Sequence, residues 1–183
     1  LLSLPSIRLS DENGSIGTKR LSAPQYLKLI SLQNVKQRTR MIVLYMHAEK
    51  MNYAVSGTTN KSELLTGYFV KFGDGGVDIE PIADLYKLQV YNLSEMLKID
   101  KKIISRPPSP DTWSHFTSDE DFYLRMPYAI LDQLLYAEEH HIPMEIVRKN
   151  TNLTISQIES AKKHIDRMKN ASRMLQMPPP VFR

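Results

Sequence analysis

Apolar residues recur at three- and four-residue steps through much of the chain, which is the spacing of helices with one buried face. The longest run covers residues 24–51, with an irregularity near Gln33, and predicts either one long helix or two that meet there. Shorter runs predict further helices over residues 61–69, 85–97, 128–140, 144–149 and 154–173. The chain is therefore expected to be rich in helix.

Polar residues just before several of these runs supply the signals that begin a helix. Asn60 and Glu63 have the spacing of a capping box, and so do Thr154 and Gln157. Asp84 stands where it would cap the helix that follows it. These signals fix where we expect three of the helices to begin.

Short apolar stretches between the helices have the pattern of β-strands. Residues 53–56 and 77–82 are predicted to be buried strands, and residues 1–4 a further short one. Strands that alternate with helices predict an α/β fold with a mainly parallel sheet, as a single domain over residues 1–183. The polar stretch 10–19 contains two glycines and is predicted to be a flexible loop.

Other segments are expected to lack regular structure. Residues 73–76 (Gly-Asp-Gly-Gly) predict a tight turn that needs positive φ angles. Residues 107–110 (Pro-Pro-Ser-Pro) predict an extended, stiff connection. Residues 10–19 and 110–120 are the candidates for mobile segments over a site.

Composition narrows the functional classes. The chain has 24 Lys and Arg against 20 Asp and Glu, a net charge of +4. This mild, scattered excess suits anionic ligands such as nucleotides and does not predict nucleic-acid binding. No apolar run approaches the roughly 20 residues of a membrane span. The absence of cysteine excludes disulfides and thiolate metal sites, and it fits a reducing compartment such as the cytoplasm.

A glycine turn between a predicted strand and a predicted helix lies in residues 56–63 (Ser-Gly-Thr-Thr-Asn-Lys-Ser-Glu). Such a corner presents backbone N–H groups to anions. Glu63 is a candidate Mg²⁺ ligand, because Mg²⁺ takes one or two carboxylates together with phosphate oxygens. The alternative is that Asn60 and Glu63 only cap each other, and the spacing alone favours capping.

Charged residues flank the same region. Lys71 and Asp78 lie on either side of the glycine-rich turn, which predicts either a site with close backbone approach or a surface turn with solvated charges. Lys87 lies in the first turn of its predicted helix, where the macrodipole disfavours a cation by about 0.3–1 kcal/mol. A nearby phosphate would offset this, whereas a side chain extended into solvent would need no ligand.

Taken together, these segments resemble the NAD synthetase family. Residues 56–87, which include Gly-Asp-Gly-Gly-Val-Asp-Ile-Glu-Pro-Ile-Ala-Asp-Leu-Tyr-Lys, are similar to the family signature almost residue for residue. Residues 34–41 and 107–111 are also similar, and the likeness extends over residues 34–140. The resemblance implies an N-type ATP pyrophosphatase with an adenine nucleotide α-hydrolase-like fold. Such a fold has a doubly wound, mainly parallel sheet flanked by helices, and the family forms homodimers.

The resemblance also implies an activity. The family's enzymes are ligases that amidate deamido-NAD to NAD with ATP and ammonia. By this likeness Thr58, Lys87 and Ser109 would contact ATP, and Glu63 would bind Mg²⁺. Two polyanionic substrates must meet in this reaction, so cations that offset their repulsion are required.

Deamido-NAD would be contacted by Arg38, Lys71 and Asp78 on the same likeness. The sequence departs from the family at two places. It contains no Ser-Gly-Gly-x-Asp-Ser loop, which cradles the pyrophosphate in the family, so its N-terminal part looks incomplete. Residues 170–174 (Asn-Ala-Ser-Arg-Met) stand where members have a His-Lys pair that binds deamido-NAD.

Several interpretations therefore remain open for the chain as it stands. It is expected to be a piece of a longer ligase, a non-catalytic nucleotide-binding or dimerisation module, or half of a split enzyme. In each case we expect little or no synthetase activity from these 183 residues alone. Glutamine in place of ammonia, and a different carboxylate substrate, are further alternatives.

Overall fold

The helix predicted over residues 24–51 is a single continuous helix, α1 (Ala23–Met51). Its start is fixed by a capping box in which the Ser22 N–H donates to Gln25 Oε1 at 3.0 Å. Its end is fixed by Asn52, which adopts the left-handed conformation (φ 54°). The irregularity at Gln33 does not break the helix.

The computed structural model describes residues 6–12, 14–113 and 116–181. After α1 come α2 (Lys61–Thr66), α3 (Lys87–Met96), α4 (Lys101–Ile104), a π-helical turn (Glu120–Leu124), α5 (Tyr128–Glu139), α6 (Met144–Thr151) and α7 (Ile155–Gln176). The capping boxes at Asn60 and Thr154 are both formed, as predicted. Across the described residues no helix is both long and apolar enough to cross a membrane.

Helix α5 lies at the centre of the hydrophobic core. It packs against α2, α3 and α6, and α7 packs against α2 and α6. The core residues with the least exposure are Leu124, Leu131, Leu135, Ile158 and Ile165. This helical layer fixes α2 and α3 relative to each other.

The stretch 10–19 is a β-hairpin rather than the predicted loop. Strand β1 (Ser6–Asp11) pairs antiparallel with β2 (Gly14–Arg20), with a register shift between Leu9 and Ser10. Backbone hydrogen bonds hold such a ladder whatever the polarity of the side chains, so a polar segment can form it. Gly14 has a φ of 127°, which suits the turn. The strand predicted over residues 1–4 lies outside the described residues.

The strands predicted over residues 53–56 and 77–82 meet in one parallel bridge, between Ser56 and Ile79. The Gly57 N–H donates to the Ile79 carbonyl at 2.7 Å, and the Asp78 N–H donates to the Val55 carbonyl at 3.0 Å. The parallel direction agrees with the predicted α/β arrangement. Elsewhere in the described part of the chain the ladder does not continue, so the pair is shorter than predicted.

Two local predictions are wrong. Asp84 does not cap α3, which begins at Lys87 after a turn in which the Leu85 N–H donates to the Ile82 carbonyl at 3.0 Å. The glycines of residues 73–76 do not have positive φ angles. The positive φ (60°) belongs to Phe72 instead.

Close packing explains one of these glycines. A Cβ built on Gly75 would lie 2.6 Å from Cδ2 of Phe69, which is nearer than side-chain carbons approach each other. Glycine is needed at position 75 because the Phe69 ring lies against the backbone there. The φ angle of residue 75 does not require it.

Candidate functional site

The start of α3 is held by a buried carboxylate on α5. Asp132 is 4% exposed, and its Oδ2 accepts from the Leu88 N–H at 2.8 Å. Its Oδ1 accepts from the Ser62 hydroxyl at 2.5 Å, and the Ser62 Oγ in turn accepts from the Lys87 N–H at 3.0 Å. Three helices therefore fix the backbone from which the Lys87 side chain extends.

Lys87 and Glu63 form an ion pair next to this cap. Lys87 Nζ lies 3.2 Å from Glu63 Oε1, and the two side chains are only 18% and 16% exposed. Glu63 Oε2 accepts from the Asn60 N–H at 3.2 Å, so Glu63 also serves in the capping box. The Glu63 carboxylate thus both caps α2 and pairs with Lys87. Its negative charge offsets the unfavourable interaction between the Lys87 ammonium group and the positive end of the α3 dipole.

Asp119 joins this pair, although the sequence analysis did not single it out. It is 5% exposed and accepts from the Tyr68 hydroxyl at 2.7 Å and from the Tyr128 hydroxyl at 3.3 Å. The Tyr128 ring centroid lies 5.3 Å from Lys87 Nζ, within the range of a cation–π contact. No local pattern marks Asp119, because its neighbours are distant in sequence.

Burial shifts the titration of these groups. It raises the pKa of the Glu63 carboxyl, against the opposing charge of Lys87, and the nearby Asp119 raises that pKa further. Burial likewise raises the pKa of Asp119, while the Tyr68 hydroxyl and Lys87 act in the opposite direction. The pKa values of Tyr68 and Tyr128 are raised well above the ordinary value, mainly by burial, so both remain protonated hydrogen-bond donors.

These shifts predict a pH dependence of stability. A carboxyl whose pKa is raised in the folded state binds its proton more tightly there, so its contribution to the free energy of unfolding falls as pH rises from its ordinary pKa through its raised one. Asp119→Asn removes this ionisation. We expect the variant to gain stability relative to the wild type as pH rises. Its free energy of unfolding minus that of the wild type should be larger at about pH 7 than at about pH 4. Urea titrations at both pH values measure it, and a difference independent of pH would contradict the expectation.

Two of the predicted ATP contacts line the same open cavity. Lys87 and Ser109 border a cavity of about 280 Å³, together with Arg106 and apolar side chains that include Ile99 and Ile103. Ser109 Oγ accepts from the Asp111 N–H at 3.2 Å. Thr58 does not line this cavity and lies exposed on the turn between the parallel bridge and α2.

The predicted deamido-NAD contacts fall into two places on α1. Arg38 Nε donates to the Lys71 backbone carbonyl at 3.3 Å, so the Arg38 side chain reaches the segment that carries Lys71. Lys71 Nζ donates to the Met177 carbonyl at 2.8 Å. Asp78 lies apart from them, and its carboxylate accepts from the Tyr45 hydroxyl at 3.0 Å and from the Val55 N–H at 2.7 Å.

The loop after Ser109 is also attached to α1. Lys36 Nζ donates to the Thr112 carbonyl at 2.5 Å, and Arg40 Nη2 donates to the Asp111 carbonyl at 3.0 Å. The first residues of the segment predicted to be mobile therefore have firm contacts, and Asp119 near its end is buried.

No group of three or more His, Asp or Glu side chains comes together in a way that could hold a metal ion, as far as the structure describes the chain. Glu63, with Asp119 nearby, remains a candidate carboxylate ligand. Oxygens of a substrate or of water would complete the coordination of a metal there.

The chain is similar to known proteins over most of its length. The family model described as NAD synthase matches residues 11–174. The NH(3)-dependent NAD(+) synthetase of Mesorhizobium japonicum is 40% identical over 178 residues, which cover 97% of this chain and 56% of that protein. The chain thus spans about half the length of the curated relatives it matches.

Solved structures show the same fold. The NMN synthetase of Francisella tularensis superimposes with a TM-score of 0.65 at 31% identity, covering 81% of this chain and 55% of that one. The NH3-dependent NAD synthetase of Campylobacter jejuni gives a TM-score of 0.60 at 27% identity, covering 85% and 56%. These neighbours confirm the predicted α/β, adenine nucleotide α-hydrolase-like fold class.

Proposed function

Because the chain belongs to the NAD synthase family, we propose that it forms the nucleotide-contacting part of an ammonia-dependent ligase that converts deamido-NAD to NAD. One observation carries this proposal. Glu63, Lys87 and Ser109 are far apart in sequence, yet Glu63 pairs with Lys87, and Lys87 shares a cavity with Ser109. Three of the four residues that the family likeness assigns to ATP and Mg²⁺ are thus neighbours, whereas Thr58 does not line that cavity.

The proposed reaction has two steps. A carboxylate oxygen of deamido-NAD attacks the α-phosphorus of ATP, which forms an acyl adenylate and breaks the bond to pyrophosphate. Ammonia then attacks the carbonyl carbon, a C–N bond forms, and AMP leaves with the C–O electron pair while nitrogen loses a proton. The first step brings two anions together, and in the second step negative charge develops on the departing AMP, so fixed positive charge lowers both barriers.

Lys87 is the proposed source of that charge toward ATP. Its backbone is fixed by Asp132 and Ser62, so the ammonium group needs little reorganisation to meet a phosphate. Thr58 and Ser109 would add hydroxyl donors. Glu63 neutralises Lys87, and a phosphate would replace that carboxylate as the partner of Lys87.

Mg²⁺ is proposed at Glu63. The carboxylate fits this role because it is nearly buried and its desolvation is only partly offset by Lys87. When bound, the ion would neutralise phosphate charge. Glu63 would hold it through a carboxylate oxygen, with phosphate and water oxygens around it.

Arg38, Lys71 and Asp78 are proposed to contact deamido-NAD. The Arg38 side chain contacts the backbone of Lys71, and both side chains carry positive charge that suits a diphosphate or a carboxylate. Asp78 already accepts from Tyr45 and Val55, so its proposed hydrogen bonds to a ribose would use remaining lone pairs.

A cytoplasmic homodimer is proposed from the family and from α1. Ala48 is the buried residue of that helix. Large apolar side chains of α1 are exposed: Leu27, Leu32, Val35, Ile42, Val43, Leu44 and Met46. Such a surface favours a partner over solvent. The absence of cysteine supports a reducing compartment.

A second candidate is the same ligase chemistry on a mononucleotide carboxylate. The similarity to a protein named NMN synthetase favours it. A third is nucleotide binding without catalysis, which would use the same Glu63 and Lys87 pair. The three candidates are distinguished by supplying ATP and ammonia with deamido-NAD or with the mononucleotide carboxylate and measuring which amide forms. Nucleotide binding without catalysis predicts that neither amide forms.

The ATP site is tested by Lys87→Met. This change keeps the length of the side chain but removes the ammonium group, so we expect ATP–Mg²⁺ to bind about ten- to a hundredfold more weakly, the equivalent of one or two charge-assisted hydrogen bonds. Titration calorimetry measures the affinity. Lys149→Met on the exposed surface of α6 is the matched control and should bind ATP like the wild type.

An unfolding curve must accompany this measurement, because Lys87→Met leaves Glu63 buried without its ion pair. The double variant Lys87→Met/Glu63→Gln removes both charges and should recover stability. Equal ATP affinity in the wild type and in Lys87→Met would contradict the proposed site.

A further inference from the structure

The turn that carries Thr58 is filled by a carboxylate from another part of the chain. Glu80 Oε2 accepts a hydrogen bond from the Thr59 N–H at 3.1 Å. A Cβ built on Gly57 would overlap the Glu80 carboxylate, so this side chain lies against the Gly57 backbone. Gly57 is buried and Thr59 is 6% exposed, which places the contact inside the protein.

The backbone around Glu80 explains how the carboxylate reaches the turn. The parallel bridge between Ser56 and Ile79, with the Gly57 N–H bonded to the Ile79 carbonyl at 2.7 Å, brings the residue before Glu80 beside the residue before Thr58. The Glu80 carbonyl accepts from the Ala83 N–H at 3.3 Å, so the chain turns directly after it. The side chain is thereby directed back to the end of the neighbouring strand segment.

Thr58 stands between two fixed neighbours. Its side chain is exposed, and across the residues that the structure describes its hydroxyl has no hydrogen-bond partner. The Thr58 backbone therefore lies between two residues, Gly57 and Thr59, that the Glu80 carboxylate contacts.

We propose that Glu80 is a positioning residue: it holds the Gly57–Thr59 turn in the conformation in which the Thr58 hydroxyl meets ATP. This inference rests on the proposed function, in which Thr58 contacts ATP. Glu80 does not touch the nucleotide and acts through the Thr59 N–H. Pre-orientation of this kind removes part of the entropy lost when a loop binds a ligand.

The test compares Glu80→Ala, which removes the acceptor, with Glu80→Gln, which keeps an oxygen acceptor but removes the charge. Amide hydrogen exchange of Thr59 and NMR order of the Thr58 side chain report on the turn, and calorimetry reports ATP affinity. In Glu80→Ala we expect faster Thr59 exchange, a more mobile Thr58, and ATP binding weaker by about tenfold, the size of one lost hydrogen bond. Glu80→Gln should restore most of all three.

The control is Glu95→Ala, an exposed carboxylate on α3, which should leave all three readouts unchanged. A merely structural role for Glu80 would lower stability without selectively loosening Thr58, so unfolding curves are recorded in parallel. The inference is overturned if Thr58 is equally ordered in Glu80→Ala, or if both Glu80 variants bind ATP more tightly than the wild type.

Thr58→Ala separates this inference from the proposed function. If Thr58→Ala weakens ATP binding but Glu80→Ala does not, only the role of Glu80 is overturned. If the wild type does not bind ATP, or Thr58→Ala leaves its affinity unchanged, the proposed ATP contact is overturned and the role of Glu80 toward ATP with it.

Discussion

Gly67→Ala is expected to separate α7 from the end of α2 and to lower the free energy of unfolding by about 3 kcal/mol or more. Gly67 caps α2 with a φ of 71°, a conformation that side chains disfavour. An added Cβ would also overlap the Cβ of Ser172 on α7. Ser172 is 2% exposed and lies within a regular helix, so its backbone has no room to retreat.

Urea unfolding measures this loss. Gly17→Ala is the matched control, because no atom lies near its added Cβ and its φ is not in the left-handed region. The double variant Gly67→Ala/Ser172→Gly removes the overlap but keeps the unfavourable φ, so it should recover part of the stability. A single Gly67→Ala variant within about 1 kcal/mol of the wild type would show that α7 does not dock as described.

Asp132→Ala is the second change with a large expected effect, a loss of about 3 kcal/mol in the free energy of unfolding. The substitution leaves the part-buried Leu88 N–H and the buried Ser62 hydroxyl without their acceptor. It also opens a cavity beneath the first turn of α3. Burial raises the pKa of Asp132, which shows that its charge has a desolvation cost, so the loss is less than two full charge-assisted hydrogen bonds would suggest.

Asp132→Asn serves as the comparison, because it keeps the volume and one oxygen acceptor for Leu88. We expect it to lose about half as much as the alanine variant. Chemical denaturation gives both values, and ATP titration shows whether Lys87 is displaced when α3 loses its cap. An alanine variant as stable as the asparagine variant would mean that the two hydrogen bonds contribute little.

The helices were predictable because their determinants are local. The apolar spacing within α1 and α7, and the capping boxes at Asn60 and Thr154, lie within a few residues of the positions they control. The hairpin was missed because its side chains are polar, although the Asn13-Gly14 dipeptide in the sequence is a known hairpin signal. Asp84 resembles an N-cap, but the turn before α3 delays the helix to Lys87.

The candidate site was predictable only in part. Glu63 and Lys87 were singled out by motif and by helix position, and the structure pairs them. Asp119 and Glu80 were not, because their importance comes from partners brought together by folding: Tyr68 and Tyr128 for Asp119, and the Thr59 N–H for Glu80. No spacing rule within the sequence marks such contacts.

The continuity of α1 has a mechanical consequence. Its 29 residues make a rod of about 43 Å, because each residue of an α-helix advances about 1.5 Å along the axis. Three α1 side chains form hydrogen bonds to other segments: Arg40 to the loop after Ser109, Arg38 to the backbone of Lys71, and Tyr45 to Asp78. A shift of α1 as a rigid body would displace all three segments together. The proposed ATP contact at Ser109 and the proposed deamido-NAD contacts would therefore move in a coupled way.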